Sequence, residues 1–345
     1  MQTLYLTPKP GNPRNSEGDF VEFRDGRLMF AYTHFTGGDA DHATAYIASR
    51  FSNDGGLKWT ADDVILVPNE GAQNVMSVSL LRLQNDTIAL FYVVKNSIED
   101  CIPHMRISAD EGMSWSNTSA CITDHPGYYV LNNDRVVQLR SGRLVMPVAL
   151  HNQPGWEKPD WQGTIMSYLS DDNGASWCRS QSVQKGYNAQ GNRIAVQEPG
   201  VVELRDGRLL MFCRTDDGCQ YMSYSCDRGE SWTTLQPSNI ISPVSPSSIK
   251  RAPTTGDLLM VWNNHRDIGS NLQGKRTPLS VAISRDEGKT WENEKVLESN
   301  PYGWYCYTAI HFSGDFVFLA YCAGDRRENN GLAATRITRI PITWL

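Results

Sequence analysis

The sequence has no excess of basic residues, no long apolar run and no cysteine pair at a metal-binding or redox spacing. Its 345 residues include 32 Lys and Arg against 38 Asp and Glu, which gives a formal net charge of −6. A nucleic-acid-binding face requires a basic surface, so we expect no nucleic-acid partner. No segment approaches the roughly 20 apolar residues of a membrane span, so we expect no membrane partner either.

The eight cysteines form no CxxC pair and have no His/Cys spacing suited to zinc. We therefore expect neither a metal nor another cofactor. Cys213, Cys226, Cys306 and Cys322 lie in apolar, strand-like runs, where buried free thiols are usual. The segment MQTLYLTPKPGNPRN shows no basic region followed by an apolar stretch, the pattern of a signal peptide. We expect a cytoplasmic protein, or a secreted or periplasmic one if a signal has been removed.

One short motif is present five times: Ser, then Asp two residues later, Gly four later and Trp seven later. We call it the box. The copies are SNDGGLKW from Ser52, SADEGMSW from Ser108, SDDNGASW from Ser170, SCDRGESW from Ser225 and SRDEGKTW from Ser284. The intervals between their starts are 56, 62, 55 and 59 residues. A repeat of this period is typical of propellers and solenoids.

A second repeated pattern gives the number of units. Two apolar runs around a turn containing Gly, Asp or Asn are typical of a β-hairpin. Such hairpins start at Val21, Leu80, Val136, Val201, Ile249 and Ala309, and one box lies between each consecutive pair. Each unit therefore has four short strands. Four-stranded units around an axis build a β-propeller.

We accordingly predict an all-β protein, a six-bladed β-propeller of four-stranded antiparallel blades, forming a single domain over residues 1–345. No linker or low-complexity segment interrupts the repeats. The segment LAATRITRIPITWL after the last hairpin is expected to supply two closing strands. LYLTP near the beginning is expected to complete the same sheet and close the ring.

In this arrangement the hairpin turns and the boxes lie at one end of the propeller. We interpret the boxes as structural, because Asp and Ser bond turn amides and Trp packs between blades. Charged and polar side chains collect at the opposite end, where loops converge on the axis. Those we expect to share a pocket there are Arg14, Glu17, Arg135, His151, Glu198, Arg214 and His265.

Five boxes on a six-blade pattern resemble the sialidase (neuraminidase) superfamily over nearly the whole chain. That resemblance implies three arginines that bind a substrate carboxylate, because a guanidinium offers it paired donors. Glu198 opens and Arg214 closes the hairpin EPGVVELRDGRLLMFCR of blade four, as in the family. Arg276 resembles the family's arginine before the third strand of blade five. Arg14, in NPRNSEGDF, stands where the family has a Phe-Arg-Ile-Pro motif.

The resemblance also implies a tyrosine nucleophile at the start of the blade-six hairpin, activated by Glu198. Sialidases are an exception to the two-carboxylate scheme of glycosidases. Tyr305 and Tyr307 are two residues apart, which predicts that they share a face of the strand. Counting back from the hairpin glycine favours Tyr305. The implied acid/base lies in the loop HFTGGDADHATAY, where we favour Asp41 over Asp39.

The leading hypothesis is an exo-acting glycoside hydrolase that cleaves a terminal acidic, sialic-acid-like sugar from a glycan with retention. A hydrolase or lyase of the same fold acting on a different glycan is the first alternative. A non-catalytic carbohydrate-binding propeller is the second, since it would keep the boxes without Tyr305 or Asp41. Turnover of any glycoside distinguishes the second alternative from the other two.

Overall fold

The computed structural model describes all residues, 1–345. Strand β1 (Gln2–Leu6) is followed by blade one, which consists of β2 (Arg14–Glu22), β3 (Leu28–Phe35), β4 (Ala45–Ser52) and β5 (Val64–Val67). Blade two consists of β6 (Asn74–Arg82), β7 (Ile88–Ser97), β8 (Asp100–Ser108) and β9 (Ser119–Ala120). Blade three consists of β10 (Tyr128–Val130), β11 (Val137–Gln138), β12 (Leu144–Asn152), β13 (Thr164–Ser170) and β14 (Cys178–Arg179). Strands β10 and β11 pair with opposite ends of β12 and together form one broken inner strand.

A small hairpin of β15 (Gly186–Tyr187) and β16 (Arg193–Ile194) precedes blade four. Blade four consists of β17 (Val196–Glu203), β18 (Leu209–Thr215), β19 (Cys219–Ser225) and β20 (Gln236–Ile241). Blade five consists of β21 (Ser248–Arg251), β22 (Leu258–Trp262), β23 (Leu279–Ser284) and β24 (Glu292–Glu298). Blade six consists of β25 (Gly303–Ser313), β26 (Phe316–Asp325), β27 (Thr335–Pro341) and β1. The predicted six-bladed β-propeller is thereby confirmed.

The helical content is limited to three short 3₁₀ turns, Ser270–Leu272, Arg326–Glu328 and Ile342–Trp344. None of them has the length or apolar character needed to cross a membrane. Of the cysteines predicted to be buried free thiols, Cys213, Cys306 and Cys322 are buried and free. Cys226 is exposed, because it follows Ser225 in a box turn and not in a strand.

The ring closes between the two ends of the chain. Strand β1 pairs antiparallel with β27 as the outermost strand of blade six, as LYLTP was expected to do. The segment after the last hairpin supplies one strand rather than two, because Ile342–Trp344 forms a 3₁₀ turn after β27. The Asn15 amide also donates to the Ala333 carbonyl at 2.9 Å, which joins the inner strand of blade one to blade six.

The hydrophobic core is divided among the six interfaces between blades. Each interface holds one cluster of buried apolar side chains, from 21 residues between blades two and three to 10 between blades six and one. Both faces of most strands are covered by a neighbouring blade, which explains the nearly continuous apolar runs in the sequence. Stability is therefore distributed around the ring, and loops at the ends of the strands are free to vary.

The boxes form the same closed turn five times. In the first, the Ser52 hydroxyl donates to Asp54 Oδ1 at 2.9 Å and accepts the Gly56 amide at 2.9 Å, while Asp54 Oδ1 accepts the Lys58 amide at 2.9 Å. Each box Trp packs on the cluster that joins its blade to the preceding one. Each box is thus the turn between the third and fourth strands of its blade, and it lies at the end opposite the starts of the inner strands.

Candidate functional site

Bulges in the inner strands shape the other end of the propeller. The pairing register shifts near the start of β2, β6, β17 and β25, and one residue in each bulge has a φ between 51° and 61°. Those residues are Glu17, Ser77, Glu198 and Tyr307. Backbone with positive φ is uncommon for residues other than glycine, and bulges redirect side chains next to functional sites. Here they turn four polar side chains toward one cavity at the axis.

That cavity has a volume of about 320 Å³ and draws its walls from all six blades. We call it the axial cavity. Its polar and aromatic lining includes Glu17, Asp41, Ser77, Lys95, Tyr128, Asn132, His151, Trp161, Gln197, Glu198, Arg214, Arg276 and Tyr307. Concave sites with a few convergent charged groups are the usual form of a small-molecule site.

Glu198 holds two of its neighbours through one oxygen. The Tyr307 hydroxyl donates to Glu198 Oε1 at 3.1 Å, and Arg214 Nη1 donates to the same oxygen at 2.7 Å. Burial raises the pKa of Tyr307 well above its usual value, and the Glu198 charge adds to the effect. Tyr307 is therefore a neutral phenol whose proton already points at a carboxylate. Such an arrangement can transfer that proton if the phenol oxygen attacks an electrophile.

Arg276 lies beside this group without a carboxylate partner. Its side chain is 8% exposed, and its Nη1 is buried with no hydrogen-bond partner. The guanidinium carbon stands 5.5 Å from the centroid of the Tyr307 ring and 5.3 Å from that of Trp304. A buried guanidinium with a free donor, next to Arg214 whose Nε is also unpaired, suits an anionic ligand.

Arg14 lies behind two carboxylates of the axial cavity and does not line the cavity itself. Its Nη2 lies 2.7 Å from Glu17 Oε1, and its Nη1 lies 2.5 Å from Asp41 Oδ1. Arg14 itself is 1% exposed, whereas the Asp41 side chain is 63% exposed. Desolvation raises the pKa of Asp41, but the charge and hydrogen bond of Arg14 outweigh it and leave that pKa below its usual value. Asp41 is thus a carboxylate held at the mouth of the cavity.

The two tyrosines do not share a face, contrary to the expectation. The bulge between Cys306 and Ala309 interrupts the alternation, so Tyr307 turns into the axial cavity. Tyr305 is buried between blades five and six, where its ring packs edge-on to Tyr321 at 6.3 Å. The sequence-based preference for Tyr305 thus selects a core residue. A period-two pattern cannot show the extra residues of a bulge.

The remaining predicted side chains are divided between the cavity and its surroundings. His151 lines the cavity, and its Nδ1 donates to the Asp160 carbonyl at 3.0 Å. Asp39 lines a neighbouring cavity of about 420 Å³ together with Arg14.

Three of the seven groups expected to share a pocket, Arg14, Arg135 and His265, do not line the axial cavity. Arg135 instead donates to the Ser247 carbonyl at 2.8 Å, because Asp134 at φ 53° turns the chain toward the centre of the ring. His265 bonds the Lys275 carbonyl at 2.9 Å on the outer rim and lines no part of the cavity. The expectation that one pocket holds all seven charged and polar groups is therefore wrong for these three.

Sequence reasoning missed Lys95, Tyr128 and Trp161, which all line the cavity. Lys95 ends the apolar run IALFYVVK of the second strand of blade two, where the residue that aligns with Arg214 of blade four is Val93. The repeat therefore gave no signal for Lys95. No group of three or more His, Cys, Asp or Glu side chains is arranged to hold a metal ion.

Comparisons with known proteins agree with the fold. The model of the BNR repeat-like domain family matches residues 19–319. The chain is 25% identical to a sialidase of Micromonospora viridifaciens over 90% of its own length and 50% of that protein's, so it spans about half of that relative.

Two solved structures show the same fold. A leech intramolecular trans-sialidase complexed with 2,7-anhydro-Neu5Ac superposes with a TM-score of 0.75 at 14% identity, covering 100% of this chain and 70% of that one. A Trypanosoma rangeli sialidase in complex with 2,3-difluorosialic acid, described as a covalent intermediate, gives 0.71 at 15% identity, with 94% and 54% covered.

Proposed function

Because the chain belongs to the BNR repeat-like family within the sialidase superfamily, we propose that it is a sialidase-like glycoside hydrolase. Its substrate is a terminal acidic, sialic-acid-like sugar, released from a glycan with retention of configuration. The observation that carries this proposal is the Tyr307–Glu198–Arg214 group beside the unpaired Arg276. It combines an anion site with a phenol that has a base within hydrogen-bond reach.

The arginines supply the anion site. Arg214 and Arg276 present unpaired N–H groups, whereas the donors of Arg14 are taken by Ser16, Asp39, Asp41 and Glu17. Paired donors of this kind fit a carboxylate, which a lysine ammonium would hold only as a point charge. A carboxylate bound there places the sugar's anomeric carbon, to which it is attached, near the Tyr307 oxygen.

The chemistry then follows in two displacements. Tyr307 Oη attacks the anomeric carbon and its proton moves to Glu198, while Asp41, in the minor protonated fraction that its lowered pKa leaves, donates a proton to the departing glycosidic oxygen. The bond from carbon to the leaving group breaks as the bond to tyrosine forms. Water then attacks the glycosyl-tyrosine, giving its proton to Asp41, and Tyr307 recovers a proton from Glu198. A neutral attacking phenol avoids the repulsion that a carboxylate nucleophile would meet from the substrate's own carboxylate.

The test is covalent trapping with 2,3-difluorosialic acid. Intact mass spectrometry should show one adduct, located on Tyr307 within the tryptic peptide 296–326. Tyr307→Phe should abolish the adduct, whereas Tyr305→Phe, its matched control two residues away, should keep it. An adduct on Tyr305, or none in a protein that hydrolyses sialosides, would overturn the assignment.

A second candidate is a hydrolase of the same fold for a different acidic glycan. It is favoured by Lys95 and His151, which add nitrogen groups to the cavity wall of blades two and three. Parallel assays of sugar release from sialosides and from other acidic glycans separate the two candidates. Release from the second set alone would favour this candidate.

A further inference from the structure

Asp41 lies on an exposed loop that has few contacts of its own. Residues 36–44 join β3 to β4, and residues 39–42 at its tip are exposed. The loop's base is tied by the Thr36 amide, which donates to the Thr44 carbonyl at 2.8 Å, and its tip by a turn from Ala43 to Ala40 at 2.9 Å. Arg14 holds the Asp41 carboxyl through Oδ1, but neither loop bond fixes the main-chain carbonyl of Asp41. A general acid must be placed within hydrogen-bond reach of the leaving oxygen.

Blade two supplies the missing support. Lys95 Nζ donates to the Asp41 carbonyl at 2.8 Å, and Asn74 Nδ2 donates to the same oxygen at 2.9 Å and to the Ala43 carbonyl at 2.8 Å. Asn74 and Lys95 face each other across β6 and β7. They are 0% and 3% exposed, so both side chains are fixed by packing.

The positive charge of Lys95 is unusual for a buried side chain whose only hydrogen-bonded oxygen is a main-chain carbonyl. No carboxylate lies within ion-pair distance of its ammonium, and its other neighbours are Met76 Sδ at 3.5 Å and the Tyr128 ring at 5.3 Å. A buried ammonium without a counter-ion is unfavourable, and an uncharged donor such as Asn74 can hold a carbonyl equally well. A charge at this place therefore acts on something else in the cavity. The group we identify is the carboxylate of Asp41, the residue whose main-chain carbonyl accepts from Lys95.

We propose that Lys95, assisted by Asn74, is a positioning residue for Asp41, fixing the loop and the charge of the acid/base group from the neighbouring blade. This inference rests on the proposed function, because it assumes that Asp41 protonates the leaving group. The effect of Lys95 on kcat/KM would then be large for a leaving group that must be protonated and small for one that leaves as a stable anion. Lys95 would have little effect on binding of the sugar carboxylate, because the arginines that bind it lie on other blades.

The test compares two leaving groups in one enzyme. Lys95→Met keeps the apolar stem and removes the donor and the charge. We expect kcat/KM for a sialyl-lactose, whose leaving group is a sugar alkoxide, to fall about 100-fold. For a 4-nitrophenyl sialoside, whose phenolate leaves unprotonated, we expect a fall of less than about 5-fold. Lys95→Arg, which restores a cationic donor, should recover most of the loss.

A double-variant cycle and a pH profile exclude a merely structural role. Asp41→Asn combined with Lys95→Met should be no slower on sialyl-lactose than Asp41→Asn alone, because one function is removed twice. The limb of the pH profile that depends on Asp41 should move in Lys95→Met. Should that variant fold poorly in a melting assay, Asn74→Ser, which removes the second donor, should give the same selectivity for leaving group with a smaller loss.

Two outcomes overturn the inference. Equal losses on both substrates, with additive effects in the cycle, would assign Lys95 to sugar binding. No loss on either substrate would remove it from the site. Failure of the proposed function is distinguishable from both, because the unaltered protein would then hydrolyse neither sialoside.

Discussion

The Ser–Asp–Gly turns at one end of the propeller and the charged groups at the other differ in how far their hydrogen bonds are satisfied. Among the box side chains, only the indoles of Trp115 and Trp291 have a buried, unpaired Nε1. At the box end, five Ser–Asp–Gly turns repeat the same hydrogen bonds, and the Asp110 carboxylate, for example, accepts both the amide and the hydroxyl of Ser114. At the cavity end, Glu198 Oε2, Arg214 Nε and Arg276 Nη1 are buried and unpaired. Buried polar atoms without partners are unfavourable in the free protein, and a ligand can supply the missing bonds.

The ends also differ in how they use the repeat. Every box has the same residues in the same places, whereas the four inner-strand bulges present a glutamate, a serine, a second glutamate and a tyrosine. Identical residues in equivalent positions do the same structural work in each blade. Different residues in equivalent positions make one asymmetric site. In a repeat protein, therefore, the positions at which equivalent residues differ between blades indicate where a functional site lies.

The largest effect should come from the cavity end. Glu198→Gln keeps the size of the side chain but removes the base for Tyr307, so we expect hydrolysis to slow about 10²- to 10⁴-fold. The melting temperature should change little, because the amide oxygen still accepts from Arg214. Steady-state kinetics and calorimetry on the same preparation check both. A large loss of stability with unchanged kinetics would contradict the assignment of function to the cavity end and of a structural role to the box end.

The matched change at the box end is Trp232→Ala. This indole is buried between blades three and four, and its Nε1 donates to the Gly229 carbonyl at 3.1 Å. We expect the free energy of unfolding to fall by about 3–5 kcal/mol through cavity formation. Activity per folded molecule, measured by active-site titration, should be unchanged. A selective loss of activity would mean that the box end takes part in function.

A third prediction concerns pH and the box end of blade six. Burial, with a smaller contribution from the Lys250 charge, lowers the pKa of His311 to about 3. The folded state therefore disfavours protonated His311, and stability is lost as pH falls below the unfolded pKa near 6.5. From pH 7 to pH 5 this residue should account for about 2 kcal/mol. His311→Phe should reduce the difference between denaturation curves at the two pH values by that amount.

The smallest effect sharpens the assignment of the anion site. Arg276→Lys keeps the charge but removes the planar pair of donors, so we expect kcat/KM to fall about tenfold, roughly 1.4 kcal/mol. The reference variant is Arg266→Lys on the outer rim, whose guanidinium pairs with Glu294 at 3.1 Å, where no change is expected. Equal kinetics in both variants would remove Arg276 from the carboxylate site.

The fold was predictable because its determinants are local and repeated. The boxes, the hairpins and the spare strand LYLTP together specify the number of blades and the closing sheet. Within the site, the grouping of Glu198, Arg214 and Arg276 followed from the resemblance to the sialidase superfamily, matched at the two ends of one hairpin and before the third strand of the next blade. Arg214 and Arg276 lie outside the bulges, and Glu198, although it lies in a bulge at φ 51°, keeps its place in the chain.

What sequence reasoning could not supply was the direction of side chains at irregular backbone. Tyr307 and Tyr305 are separated by two residues, but the bulge at φ 56° sends them to opposite sides. Arg135 points to the ring centre for a similar reason. Lys95 was missed because its role depends on the neighbouring blade, where its ammonium meets the Asp41 carbonyl. Contacts between blades are not encoded in the spacing within one blade.

The pairing of β1 with β27 has a consequence for how the protein is made. During synthesis Gln2–Leu6 emerges before Thr335–Pro341, with more than 300 residues between them. At roughly 10 residues per second, the first strand waits about half a minute for its partner. Until then Phe20 and Phe30 of blade one lack the Phe318 side chain that covers them in the closed ring. The aromatic core of this interface therefore forms only after β27 has been synthesised.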